Sequence, residues 1–403
     1  MRNHWHNLKA KVLLLFISIV SVLMLAEIAL RIAKCSYPNF FTIDERLGVV
    51  LRPGTQSWYR REGVAFVRIN SEGFRDREHS KQKPENTLRI AVLGDSFTDA
   101  WQVPLEKTFC SVMERSLSRC NALGGKKVEV INFGVSGFGT ARELIMLGYK
   151  VWDYSPDIVI LAFFTGNDVR DNSIKLDALD YLPYFVYKNE KLVLDNSFIE
   201  SRWYKTRKTP LAKILYKIID SSRIVQLIKE VNNIKKNSAI AKQHQKIAGD
   251  LLKKDIGLDN MVYYEPKDTV WKEAWQITED LLIMMRDEVQ NKGAYFLVVT
   301  LSNDIQTDPD PMVRERFMQR LGIQDLFYPD KRIKSLGERE NFPVLNLAPL
   351  LQDYAQRRKV CLHGFKNSSI GTGHWNIDGH RLTGEIIADE ICKHFINKPY
   401  VKN

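Results

Sequence analysis

"LRIAVLGDSFTD", residues 88–99, decides how the chain is read. Its first seven residues form a short apolar run, broken only by Arg89, that stops at Gly94; Ser96 then stands where a helix should begin. Such a run predicts a strand of a parallel sheet, buried on both faces. The pattern repeats: "EKTFCSVMERSL" reads as a helix, "VEVINFG" (128–134) as a strand, "TARELIMLGYKVW" as a helix and "DIVILAFF" (157–164) as a third strand. This β-α-β-α-β order predicts a three-layer α/β/α sandwich on a mainly parallel, flavodoxin-like sheet. It resumes later with the helix "WKEAWQITEDLLIMMRDEV", the strands "YFLVVTL" (295–301) and "PVLNL" (343–347), and the helix "RLTGEIIADEICKHFI".

Between these blocks the pattern breaks. "YFVYKNEKLVLD" reads as a hairpin turning at Asn189 and Glu190, and a Lys-rich, helix-prone stretch runs from about 210 to 254. The expected division is 1–34 as cytoplasmic N-terminus and membrane anchor, 35–87 as a connecting arm, 88–169 with 271–397 as the α/β domain, and 170–270 as an insertion. Within the arm, Phe74 and Arg75 are expected to dock near the active-site face.

The net charge of +11 suggests a nucleic-acid partner until it is located. Residues 201–254 hold 14 Lys/Arg against 3 Asp/Glu, so the rest of the chain is neutral. In "LAKILYKIIDSSRIVQLIK" the lysines alternate with apolar residues, as in an amphipathic helix facing the domain or an anionic membrane surface; nucleic acid is not expected. From Val12 to Ile32 the chain is apolar enough to span a bilayer, with Glu27 as its only acid. Arg2, Lys9 and Lys11 precede it without an acid, which predicts a single-pass anchor in the cytoplasmic membrane, N-terminus inside and the main domain outside. The residues after the apolar run offer no clean A-x-A-like site, and Lys34 before Cys35 spoils a lipoprotein site, so an anchor is preferred to a cleaved signal. Five cysteines lack C-x-x-C spacing and the histidines lack H-E-x-x-H spacing, so no metal or cofactor is expected; the pairing of the cysteines is left open.

Chemistry concentrates at the strand ends, where open α/β sheets bind ligands. Ser96 follows the first strand, placed as a nucleophile or as a simple helix cap. "NFGVSGFGT" (132–140) follows the second; it is not a dinucleotide fingerprint, but Gly137 suits a backbone oxyanion donor. "FFTGNDVRDN" follows the third, with Asn167 available as a side-chain donor and Asp168 to tie the loop down by accepting N–H groups. Near the C-terminus "GTGHWNIDGHR" (371–381) supplies two histidines, His374 and His380.

In this order, "GDSFTD", "NFGVSGFGT", "TGND" and "HWNIDGHR" resemble the four blocks of the SGNH (GDSL-type) hydrolases over residues 88–169 and 294–395. The arm "RINSEGFRD" and the apolar helix before it resemble membrane-anchored bacterial members. The resemblance implies Ser96 as nucleophile, Ser96 N–H, Gly137 and Asn167 as the oxyanion hole, His374 as general base, and Asp95, Asp168 and Thr372 in support. His380, at the start of the last helix, is expected to be structural. The family's usual acid, two or three residues before the histidine, is replaced here by Gly371 and Thr372. Three explanations stand: a dyad in which a carbonyl or Thr372 holds His374, a distant acid, or loss of activity. The dyad is the reading adopted, because loss of the acid still leaves substantial catalysis. Asp378 is read as a cap of the last helix, Ala100 as a residue that narrows the entrance, and Trp101 and Trp375 as buried aromatics, with stacking on sugar rings as the alternative.

The implied activity is a serine ester hydrolase that removes O-acyl groups, taken as acetyl, from a cell-envelope or exported glycan. The alternatives are an O-acyltransferase using the same serine, and a catalytically degenerate membrane-tethered scaffold.

Overall fold

A computed structural model of the protein describes residues 2–233, 235 and 259–397; part of the Lys-rich stretch expected to be helical lies outside them. Two compact units emerge, Met1–Phe40 with Thr206–Lys253, and Phe41–Lys205 with Lys254–Asn403. These boundaries differ from those expected: most of the arm groups with the α/β domain, and the insertion is shared between the units.

In the larger unit the arm contributes two hairpins, β1 (Phe41–Asp44) with β2 (Gly48–Leu51) and β3 (Gln56–Tyr59) with β4 (Ala65–Arg68). The sheet strands follow: β5 (Thr87–Gly94), β6 (Lys127–Asn132), β7 (Ile158–Phe164), then, after the hairpin β8 (Tyr184–Lys188) and β9 (Lys191–Asp195), β10 (Tyr295–Leu301) and β11 (Val344–Asn346). The sheet is parallel throughout, in the order β11-β10-β7-β5-β6. All eight residues of β5 are buried, as a central parallel strand covered on both faces requires. The chain passes from β5 outward to β6, then returns to the other side of β5 for β7. The crevice between β5 and β7, where the order reverses, is the place such sheets offer a ligand.

One face packs Ile90, Val92, Ile160 and Val299 against Phe109, Met113 and Leu117 of helix α3 (Phe109–Leu117) and Ile387 and Ile391 of the last helix, Ile377–Asn397. A disulfide joins Cys120, just beyond α3, to Cys392 in the last helix; Cys35, Cys110 and Cys361 are free thiols. The hairpin β8–β9 turns at Asn189 and Glu190, both with positive φ, as its sequence predicts.

Hydrogen bonds explain why the arm belongs to this unit. Arg75 is fully buried and donates to the carbonyls of Asp99, Ala100 and Val103, while the Phe74 ring packs on Phe133 with centroids 4.7 Å apart. Burial pulls its guanidinium down to about 10, against the opposing charges of Asp99 and Asp76. The side chain of His79, 2% exposed, lies 2.7 Å from Glu129 and 3.1 Å from Asp76. Thus Phe74 and Arg75 dock the arm directly behind the loop that carries Ser96.

Candidate active site

Ser96 opens a one-turn helix, α2 (Ser96–Asp99), immediately after β5. Asp95 caps it by accepting the Phe97 N–H at 2.9 Å. The turn ends at Ala100, which is left-handed at φ 51° and wholly buried. It therefore lines no entrance, contrary to expectation; the carbonyls around it are held by Arg75 instead.

His374 lies in the loop before the last helix, and its Nε2 is 2.9 Å from Ser96 Oγ. The neighbouring residues hold it there. Gly364 N–H donates to the His374 carbonyl at 2.9 Å, and Asn376 bonds the backbone of Leu362 and Cys361. The Trp375 indole donates to Ser302 at 3.0 Å. The Phe97 ring lies against the imidazole, with centroids 4.8 Å apart. Trp375 is wholly buried and presents no face to a sugar. Trp101 is half-buried, stacked on Phe41 and edge-on to Tyr59 of the arm.

The acid that the sequence around His374 lacks is Glu62, in the loop between β3 and β4. Its Oε2 is 2.6 Å from His374 Nδ1, and its Oε1 accepts the His374 backbone N–H at 2.7 Å. Glu62, His374 and Ser96 thus form one continuous hydrogen-bonded line. Burial resists charging both partners, but their mutual hydrogen bonds outweigh it: Glu62 is held below the usual carboxylate range and His374 above the usual imidazole range. The dyad reading is overturned in favour of the distant acid. Thr372 is exposed, its hydroxyl turned to the Ser369 carbonyl, while Glu62 occupies His374 Nδ1.

Two glycines permit this contact. Gly373 has φ +83°, and a Cβ there would sit 2.3 Å from Glu62 Oε1; Gly63 has φ +70°, and a Cβ would sit 2.2 Å from the Gln102 carbonyl. Asn367 clamps the loop, accepting the Gly63 N–H at 2.9 Å and donating to the carbonyls of Arg60 and Gly63. The local signal for Glu62 is thus a Glu-Gly pair, "EG" at 62–63, in an arm with no helical period; nothing ties it by spacing to a histidine 312 residues away.

The remaining site residues take the strand ends. Gly137 is exposed in the loop after β6, with φ +78°, and its N–H has no hydrogen-bond partner among the described residues. Asn167 follows β7 at the start of the short helix Asp168–Asp171 and does not cap that helix with its side chain. Asp168 is wholly buried and accepts the Phe164 N–H at 2.8 Å, tying the loop to the strand. Burial pushes Asp168 well up and Asp95 up to about 6. Beside them Glu143 is buried with neither carboxyl oxygen bonded, and burial raises it well up too. His380 is buried and stacked on Phe109, and burial brings it down to about 3, in keeping with a neutral packing residue. Asp378 does not cap the last helix: Asn376 Oδ1 accepts the Asp378 and Gly379 N–H groups, and Asp378 faces Arg381.

No family model matches the chain. Among curated proteins it is 30% identical over 82 residues to an arylesterase from Vibrio mimicus, a match spanning 20% of this chain and 39% of that protein. Among solved structures it is similar to a protein described as a lipolytic member of the G-D-S-L family from Desulfitobacterium hafniense, with 13% identity, 75% and 98% of the two chains covered and a TM-score of 0.35. It is also similar to an acetyl xylan esterase, with 12% identity, 76% and 98% coverage and a TM-score of 0.37. The two solved structures are described as a lipolytic protein and an acetyl xylan esterase, and the curated relative as an arylesterase.

Proposed function

We propose that the chain is a serine ester hydrolase, anchored in the cytoplasmic membrane with its α/β domain outside, that removes O-acyl groups, taken as acetyl, from a cell-envelope or exported glycan. The observation that carries the reading is the unbroken line from Glu62 through His374 to Ser96 Oγ. His374 Nε2 takes the Ser96 proton as Oγ attacks the ester carbonyl, and Glu62 stabilises the imidazolium that forms. The Ser96 and Gly137 N–H groups and the Asn167 amide receive the oxyanion, each lowering the barrier by about 3 kcal/mol. His374 then returns the proton to the departing sugar oxygen, and water, deprotonated in turn by His374, releases the acid and restores the serine.

Two features support a place outside the cytoplasm. The helix Leu8–Ile32 is long and apolar enough to span a bilayer, and the Cys120–Cys392 disulfide suits an oxidising compartment. A complete serine–histidine–acid line argues against the scaffold reading, since a site freed of catalysis has no need to keep all three in register. The test is labelling by a fluorophosphonate together with acid release from acetylated oligosaccharides. Wild type labels and releases acetate, and Ser96→Ala does neither. A folded wild type that fails to label at Ser96 refutes the proposal, and acetyl transfer to an added oligosaccharide in place of release assigns the transferase alternative.

A further inference from the structure

Within the smaller unit, the helix Pro210–Ser221 begins at a Thr209 cap and carries Leu211, Ile214, Leu215 and Ile218 along one stripe. All four are between 50% and 66% exposed. The helical residues 223–233 continue the pattern with Ile228 and Val231, also exposed. A stripe of this length, uncovered by the described residues of its own unit, is not what a water-facing helix shows.

The helix is tied to the end of the apolar helix α1 (Arg2–Ile32). Glu27 accepts the N–H groups of Arg223 and Ile224 at 2.9 and 3.1 Å and the Ser222 hydroxyl at 3.1 Å, while Arg31 donates to the Ser221 carbonyl at 2.6 Å. The one acid of the apolar segment is thereby satisfied: it caps the start of residues 223–233, and Arg31 closes the end of Pro210–Ser221. Tyr37 N–H reaches Gln226 at 2.8 Å and fixes the same turn from the other side. Glu27 stands five residues before the end of the span, about 7.5 Å at helical rise. That is the depth at which interfacial helices seat their apolar face, roughly 5–10 Å. Residues 206–235 hold seven Lys/Arg against two Asp/Glu.

We infer that the helix Pro210–Ser221 lies in the interface of an anionic phospholipid bilayer, its Leu211–Ile218 stripe on the acyl chains, braced to the membrane-spanning helix by Glu27 and Arg31. The inference rests on the anchoring reading above. It gives the basic segment a use: the cations meet lipid phosphates while the stripe is buried.

The test uses the full chain in phosphatidylcholine/phosphatidylglycerol vesicles, with an environment-sensitive fluorescent amino acid in place of Leu215 or, separately, of Leu15. Lipids brominated near the headgroup end of the acyl chains are expected to quench the probe at 215 at least twofold, and lipids brominated deep in the chain to quench the probe at 15. Quenching at 15 with none at 215 overturns the interfacial helix and leaves the anchor standing. Quenching at 215 with none at 15 overturns the anchoring reading and with it the bracing to a spanning helix. No quenching at either site overturns both, and, with a photoreactive amino acid at 215 in a parallel sample, cross-linking to a second copy in place of lipid quenching overturns the lipid assignment in favour of self-association.

Discussion

Glu62→Gln separates an enzyme with a working acid from one in which the histidine acts alone. The substitution keeps the size of the side chain and removes its charge. In the wild-type line, Glu62 Oε2 is 2.6 Å from His374 Nδ1, and both side chains are largely shielded, 17% and 27% exposed. When His374 takes the serine proton, two unit charges form about 4 Å apart between their centres, worth about 4 kcal/mol at an effective dielectric of about 20. Losing that in the transition state costs about 10³-fold in rate. Because a Gln amide can also fix the wrong imidazole tautomer, the expected fall in kcat is between about 10³ and 10⁴. The pH profile supplies a second readout. His374 must be neutral to act, and the Glu62 hydrogen bond holds its pKa above the ordinary 6.5, so activity rises with pH through an acid limb above that value. Without the carboxylate, that limb moves to lower pH while the plateau drops. Initial rates on p-nitrophenyl acetate from pH 5 to 9 measure both. A Glu62→Gln enzyme within tenfold of wild type, with an unmoved limb, would refute the assignment.

Other outcomes follow from the same geometry. Gly373→Ala forces a Cβ to within 2.3 Å of the Glu62 carboxylate at a φ of +83°, and should cut kcat by at least tenfold while the far-ultraviolet circular dichroism spectrum is unchanged. Asn367→Ala removes three hydrogen bonds that hold the Glu62 loop, each worth about 1 kcal/mol net. Asn367 touches no reacting atom, so its variant should lose about 10- to 100-fold in kcat with KM little changed, and Asn367→Asp should recover only part. Denatured, unreduced protein should titrate three thiols and reduced protein five. A Cys120→Ser/Cys392→Ser variant should melt several degrees lower, since removing such a crosslink costs about 2–5 kcal/mol.

The parts of the fold that the chain's own pattern displays are those where local and tertiary demands coincide. β5, β7 and β10 are apolar runs because both their faces are covered, and the residue after each strand falls at the sheet edge by the geometry of a parallel crossover. Ser96, Gly137 and Asn167 are therefore legible as residues of that edge, whereas His374 follows no strand and is singled out only by the resemblance of its block to the family's. The helices Pro311–Leu321 and Tyr328–Arg339 are charge-rich, and their short apolar stripes do not mark them in the sequence. Glu62 was invisible for a different reason. A histidine needs only one carboxylate oxygen at Nδ1, and any loop that reaches the spot can provide it, so nothing in the local sequence of either partner encodes the pairing. What is encoded is the space for it, in Gly63 and Gly373, and such glycines read as ordinary turn residues until the contact is known.

That division has a mechanical consequence. In the proposed mechanism the nucleophile follows the central strand β5 and the base lies in the loop before the last helix, whereas the acid stands on a hairpin of the arm, held by Asn367 and set close against the Gln102 backbone at Gly63. The arm makes a second attachment at Arg75, whose guanidinium gathers the carbonyls just after the Ser96 helix. Displacing the arm would therefore remove the carboxylate and loosen the serine turn together, because one segment supplies both. A shortened chain starting at residue 88 keeps every residue of the four sequence blocks and should nonetheless fall below the Glu62→Gln enzyme in kcat, because it also loses the Arg75 clamp. If such a chain folds and matches the full protein in rate, the arm is a tether and nothing more. If it folds and falls below Glu62→Gln, the arm is part of the active site.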